Sequence, residues 1–339
     1  MLAQALPPAA REYAREQRSE IAAAVAAVRR QWRRVGEDFD AGWAMIQPQV
    51  VAVATLAQER VSSGALAYIP AVLEDTGQLR AVEAVAAVTS SPLVGVAGDG
   101  RPVDSLLYGA VTHAKERVSA GLSTYQSLQS AQSWLSMTTG TLLSDTARQG
   151  ESLGMGVRPV SGYVRMLTPP SCSRCVILAG RFYRKNAGFQ RHPGCDCRHI
   201  PASESVAGDL TVEPRAYFDS LTEVEQDAAF TKAGAEAIRA GADIGQVVNA
   251  RRGMYTAQGQ LLTREGTTSR GRAFQALREG GTTEDLAGTA VRVTRTGPEM
   301  RVVTRTRATQ ARLMPETIAQ VATDRDDYLR LLRANGYLA

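Results

Sequence analysis

The sequence predicts a mainly helical protein with an α+β module. A helical N-terminal region comes first, then a small Cys/His metal-knot module, then a basic C-terminal segment. Three observations predict this. Apolar residues recur at spacings of three and four through roughly the first 150 residues. All four cysteines fall within 26 residues, with two of the three histidines among or beside them. Residues 251–312 hold twelve arginines against five acidic residues, a local net charge of +7.

The first helix is expected over Arg11 to Arg34, where Ile21, Val25, Val28 and Trp32 form one apolar stripe. A second follows from Asp40 to about Val61 through Trp43, Ile46, Val50, Val53 and Leu56. Pro48 should kink it or mark its true start. A third is expected near Gly77 to Thr89 and a fourth from Val103 to Ala120. The fifth runs from about Ser123 to Arg148. The GVAGDGRP stretch, Gly95 to Pro102, reads as a loop.

From Gly150 to Gly162 the glycines break the helical period, which sets a domain boundary there. A short strand is expected at Tyr163 to Thr168, ahead of the cysteine segment. Helices return from Pro214 to Arg252, with Thr222 and Glu225 as a capping box and Asp243 as a second cap. MYTAQGQLLTREGTTSRGR, with its QG and EG turn points, predicts a hairpin within a basic and partly flexible segment. Met314 to Leu338 closes the chain as a helical unit with Pro315 in its first turn. The expected organisation is therefore 1–150, 151–254, 255–312 and 313–339.

Composition excludes several classes. Apolar residues are 44% and charged residues 22%, which disfavours a disordered chain. The longest smooth apolar runs, Ala22 to Val28 and Val50 to Ala57, fall far short of the ~18 residues of a membrane span, so no membrane partner is expected. The N-terminus has no basic stretch ahead of a long apolar one. A secretory signal, and with it a secreted disulfide scaffold, is not expected. The net charge is +5, and 36 of the 39 basic residues are arginines, whose forked donors suit phosphates and carboxylates.

The segment with chemistry is SCSRCVILAGRFYRKNAGFQRHPGCDCRHIP. Cys172 and Cys175 form a CxxC, which aims two thiolates at one point. His192, Cys195 and Cys197 follow across a loop and can complete a tetrahedron. Thiolate and imidazole suit zinc, with iron the lesser alternative. The first-choice ligands are Cys172, Cys175, Cys195 and either His192 or Cys197, with His199 the last choice. A structural zinc, a redox or disulfide arrangement and unliganded thiols all remain open from spacing alone.

CxxC, then Gly-Arg-Phe-Tyr, then HPGCDC followed by Pro201, resembles the MuF-like minor head proteins of tailed bacteriophages, in the actinobacterial-phage version. SGYVRMLTPPSCSRCVILAG, YFDSLTEVEQDAAFTKAGAEAIRAGADIGQVVNARRGM and the terminal RLMPETIAQVATDRDDYLRLLRANGYL are similar too. The resemblance covers roughly Pro159 to Met254 and the last 25 or so residues. It implies a head-morphogenesis role in the virion, at the capsid interior or portal, with assembly in the host cytoplasm. The implied partners are the portal protein, scaffold or major capsid protein, and DNA. Some related chains are labelled capsid maturation proteases, which is the alternative activity.

That alternative requires a nucleophile and a base. The sequence offers only Ser119 with Lys115 one turn away, and His113, all on one helix. There is no GxxxxGK[ST], and no GxGxxG opening a helix. For contacts to phosphates or an acidic partner, Arg181, Arg184, Lys185, Arg191 and Arg198 surround the cysteines, and the basic stretch begins at Arg251 and Arg252.

Overall fold

A computed structural model describes residues 7–167, 171–185, 198–202, 213–266, 288–296, 299–307 and 311–338, with the backbone alone at Met166, Arg198 and the strands of 288–307. The fold is mainly helical with small antiparallel sheets. It comprises two compact units. One combines the described residues of 3–169 and 179–212; the other combines those of 170–178 and 213–339. The stretch 151–254 thus contributes to both.

The first unit is built on four long helices: α1 (Pro8–Trp32), α2 (Phe39–Asp75), α3 (Val103–Ser119) and α4 (Thr124–Gly156). Asp38 caps α2 by accepting from the Ala41 backbone N–H at 2.9 Å. Ser123 and Gln126 form a capping box that starts α4. Pro48 lies well inside α2 and so does not mark its start. Val28, Trp32, Trp43, Ile46, Val50, Leu107, Val111 and Leu135 share one apolar cluster, the product of the helical stripes.

Two expectations for this region fail for physical reasons. No α-helix spans 77–89. Gly77, at φ 70°, ends α2 in a left-handed turn in which the Gln78 N–H donates to the Leu73 carbonyl. Only a 3₁₀ turn, Leu79–Ala81, follows, and Val85 stays 84% exposed. Ala81 and Val82 reach a buried apolar cluster, while Leu79 and Val85 stay exposed, so no continuous stripe is covered. Second, Gly150 does not break α4. A Cβ at Gly150 would meet the Ala65 Cβ at 2.9 Å, and one at Gly154 would meet the Ile69 Cγ1 at 2.9 Å. These glycines are where α4 presses against α2, and the helix continues to Gly156.

Strands β1 (Gly162–Met166), β2 (Phe182–Arg184) and β3 (Arg198–Ala202) form an antiparallel sheet in the order β2-β1-β3. Tyr163 pairs with Pro201 and Arg165 with His199. Tyr163 and Ile200 join Tyr13, Tyr68, Ile69, Val72 and Met155 in a second apolar cluster, which seats the sheet against α2 and α4.

The second unit begins with the short α5 (Ser173–Leu178), which packs against α6 (Pro214–Ser220) and α9 (Ile244–Ala250). Between the latter lie α7 (Glu223–Phe230) and α8 (Lys232–Arg239). The Thr222–Glu225 capping box and the Asp243 cap both form. The expected hairpin is β4 (Met254–Ala257) with β5 (Gln260–Thr263). Gln258 and Gly259, both at positive φ, supply its two-residue turn. A two-residue strand, Arg312–Leu313, extends this sheet, and β6 (Gly288–Thr296) pairs with β7 (Glu299–Arg307) as a separate ribbon. Helices Pro315–Val321 and Arg325–Ala334 complete the unit.

Candidate functional site

The CxxC opens α5. Its backbone turns at once into helix, with the Val176 N–H donating to the Cys172 carbonyl at 3.1 Å, which brings residues three apart onto one side. The Cys172 and Cys175 sulfurs lie 3.3 Å apart. That exceeds the ~2.05 Å of a disulfide. It is about half an ångström below the ~3.8 Å expected of two thiolates on a tetrahedral zinc with ~2.3 Å bonds. Cys172 is exposed and Cys175 buried. Ser171, just ahead, is buried, and its backbone N–H donates to the Tyr217 hydroxyl on α6 at 3.4 Å. The thiol pair thus stands on a packed element and fits half of a zinc set. His192, Cys195 and Cys197 lie outside the described residues, as does Arg191. Among the described residues no group of three or more His, Cys, Asp or Glu could hold a metal.

A buried polar cluster, which the sequence reading missed, holds β3 inside the first unit. Glu151 of α4 is fully buried. One of its carboxylate oxygens accepts from the Tyr13 hydroxyl at 2.9 Å. The other accepts from the His199 backbone N–H at 3.3 Å and lies 3.1 Å from His199 Nδ1. The Tyr68 hydroxyl donates to the His199 carbonyl at 2.9 Å. The Tyr163 ring lies over the imidazole, 3.9 Å between centroids, and Tyr13 stacks on Tyr68 at 4.2 Å. A signal did exist. Leu143, Ala147, Glu151 and Met155 follow one another at spacings of four, so a carboxylate sits on an apolar stripe. His199, the last-choice ligand, is engaged by this carboxylate.

The catalytic candidates are not brought together. Lys115 Nζ lies 2.6 Å from Asp40 Oδ2, and that hydrogen bond holds the ammonium above its ordinary pKa, which works against a base. His113 shares a hydrogen bond of 2.9 Å with the Ser130 hydroxyl and stacks on Trp134. Burial pushes its pKa below the usual range, with Arg117 adding to the effect. Ser119 is exposed at the end of α3. A groove of about 540 Å³ is lined in part by Leu106, Met137, Asp99 and Asp145. Each carboxylate there is paired, Asp99 with Arg101 at 2.8 Å and Asp145 with Arg148 at 2.9 Å.

Of the basic candidates, Arg181, Arg184 and Lys185 are exposed at β2. Arg198 is described by its backbone, paired with Met166. Arg252 is exposed, whereas Arg251 is half-buried and donates to Glu316 and Thr231. Arg251 is therefore engaged within its own unit. No described helix is long and apolar enough to cross a membrane. Compared with known proteins, the chain significantly matches no family model, no curated protein and no solved structure.

Proposed function

We propose that the protein is a minor head protein of a tailed phage, acting in head morphogenesis. In this reading it associates with the portal and the scaffold or major capsid protein, resides in the virion, and carries one structural zinc. The observation that supports this most is the Cys172–Cys175 sulfur pair at 3.3 Å, set on a packed helix and followed in sequence by HPGCDC. Cys172, Cys175 and Cys195 would hold the ion, with either His192 or Cys197 as the fourth ligand. Bound there, zinc would supply folding free energy to the cysteine segment. The basic stretch 251–312 contacts packaged DNA through its phosphates.

Elemental mass spectrometry of the purified full chain, with thiol titration before and after chelation, tests the zinc site. The expected result is about one zinc per chain and thiols that react only after chelation, with Cys172→Ser losing the metal. A metal-free chain with four reactive thiols, or with disulfides, refutes it.

A further inference from the structure

The β6–β7 ribbon divides its charged residues unequally between its two faces. In an antiparallel pair, directly opposed residues share a face, and successive pairs alternate between faces. The register is Gly288↔Arg307, Ala290↔Arg305, Arg292↔Val303, Thr294↔Arg301 and Thr296↔Glu299 on one face. On the other it is Thr289↔Thr306, Val291↔Thr304, Val293↔Val302 and Arg295↔Met300. Four of the ribbon's five arginines therefore lie on the first face, and they are spread evenly. Each of four successive rungs carries one arginine: 301, 292, 305 and 307. The second face carries Val291, Val293, Val302 and Met300 with a single arginine.

The spacing points to a regular polyanion. Same-face rungs recur about every 6.8 Å, so four of them span roughly 20 Å. Over that length one strand of B-DNA presents about six phosphates. An acidic protein surface has no such period. The ribbon's net charge is +4, and Thr294 and Thr296 add hydroxyl donors on the arginine face. A two-stranded ribbon is also of a width that the major groove of a duplex admits.

We propose that the face bearing Arg292, Arg301, Arg305 and Arg307 binds the phosphate backbone of duplex DNA without sequence preference. This rests on the DNA contact proposed above and assigns it to one face of one ribbon.

The test uses the full chain and a fluorescent 30-base-pair duplex of arbitrary sequence, titrated over a salt series. The ribbon variant is Arg292→Gln, Arg301→Gln, Arg305→Gln and Arg307→Gln together. A charge-matched control replaces the exposed Arg11, Arg15, Arg29 and Arg30 of α1 with Gln. A second ribbon variant places Lys at the same four positions. The slope of log affinity against log salt should shrink by about 3 to 4 in the Gln ribbon variant, at ~0.9 per phosphate contact. Its affinity near 0.1 M salt should drop at least tenfold, while the control and the Lys variant stay close to wild type. No binding by the wild-type chain at low salt overturns both the ribbon and the DNA contact. Equal binding by the Gln ribbon variant overturns the ribbon alone. A control that weakens equally reduces the effect to bulk charge and overturns the ribbon too. Polyglutamate that competes as well as unlabelled duplex overturns DNA as the ligand.

Discussion

Glu151 and His199 are 48 positions apart in sequence and meet inside the first unit, the carboxylate 3.1 Å from the imidazole Nδ1 and 3.3 Å from the backbone nitrogen. Both side chains are within 2% of full burial, so this contact sets where β3 lies against α4. His199 stands two residues after Cys197. The strand that leaves the cysteine segment is therefore anchored by a buried carboxyl group in a water-poor site, where an unmade contact is costly.

Replacing that carboxyl group should be costly. Glu151→Gln keeps the shape and the acceptor for Tyr13 but turns an amide donor toward the His199 N–H. The expected loss is about 3 kcal/mol, the scale for breaking one side of a buried polar pair. Urea denaturation measures it, and a double-mutant cycle with His199→Gln should give a coupling of at least ~1 kcal/mol. Additive single effects would mean that the two side chains do not sense each other.

The glycines of α4 should behave oppositely according to what faces them. At Gly150 an added Cβ meets the Ala65 Cβ at 2.9 Å and the Ser62 carbonyl at 3.0 Å. Gly150→Ala should cost about 1–3 kcal/mol in overpacking, outweighing the ~1 kcal/mol that alanine adds to a helix. At Gly156 nothing lies within 4 Å, so Gly156→Ala should be neutral or stabilising. Thermal melts of the two variants moving in the same direction would contradict the close α2–α4 approach.

Tyr337 should make the second unit sensitive to alkali. Burial pushes its hydroxyl up to about 12, while the hydroxyl donates to the Leu313 carbonyl at 3.0 Å and the ring lies 3.9 Å from the Arg312 guanidinium. Below pH ~10 the tyrosine is protonated both folded and unfolded, and its contribution is fully present. Above that the unfolded chain loses the proton first, so stability falls as pH rises toward 12, by up to roughly 2–3 kcal/mol. Tyr337→Phe should flatten this fall in part, because Tyr328 is likewise pushed up to about 12. It should cost about 1 kcal/mol at neutral pH through the lost hydrogen bond. An unchanged alkaline slope in the variant would remove Tyr337 from the account.

Much of the helical framework was legible because its signals are local. Val28, Trp32, Trp43, Ile46 and Val50 are buried where their spacing places them. Thr222, Ser123 and Asp243 sit at helix starts because a short oxygen-bearing side chain satisfies N–H groups within three residues of itself. Two misreadings share one cause. The run after Gly77 has a helical pattern of which a neighbouring cluster covers only Ala81 and Val82, and the run at Gly150 has a breaking pattern but a neighbour that requires small residues. Neither neighbour is visible along the chain.

The candidate site divides the same way. By itself the sequence determined which residues carry metal-binding chemistry: a CxxC, then His192, Cys195 and Cys197, because ligand type and short spacing are written locally. It also determined where the positive charge accumulates. Only the tertiary structure decided that Glu151 faces His199, that Lys115 is held by Asp40, that Arg251 is engaged by Glu316, and that four of the ribbon's arginines share one face. Each depends on pairing between segments that are distant in sequence or on strand register. Register has a period of two, so a slip of one residue reverses which face carries the charge.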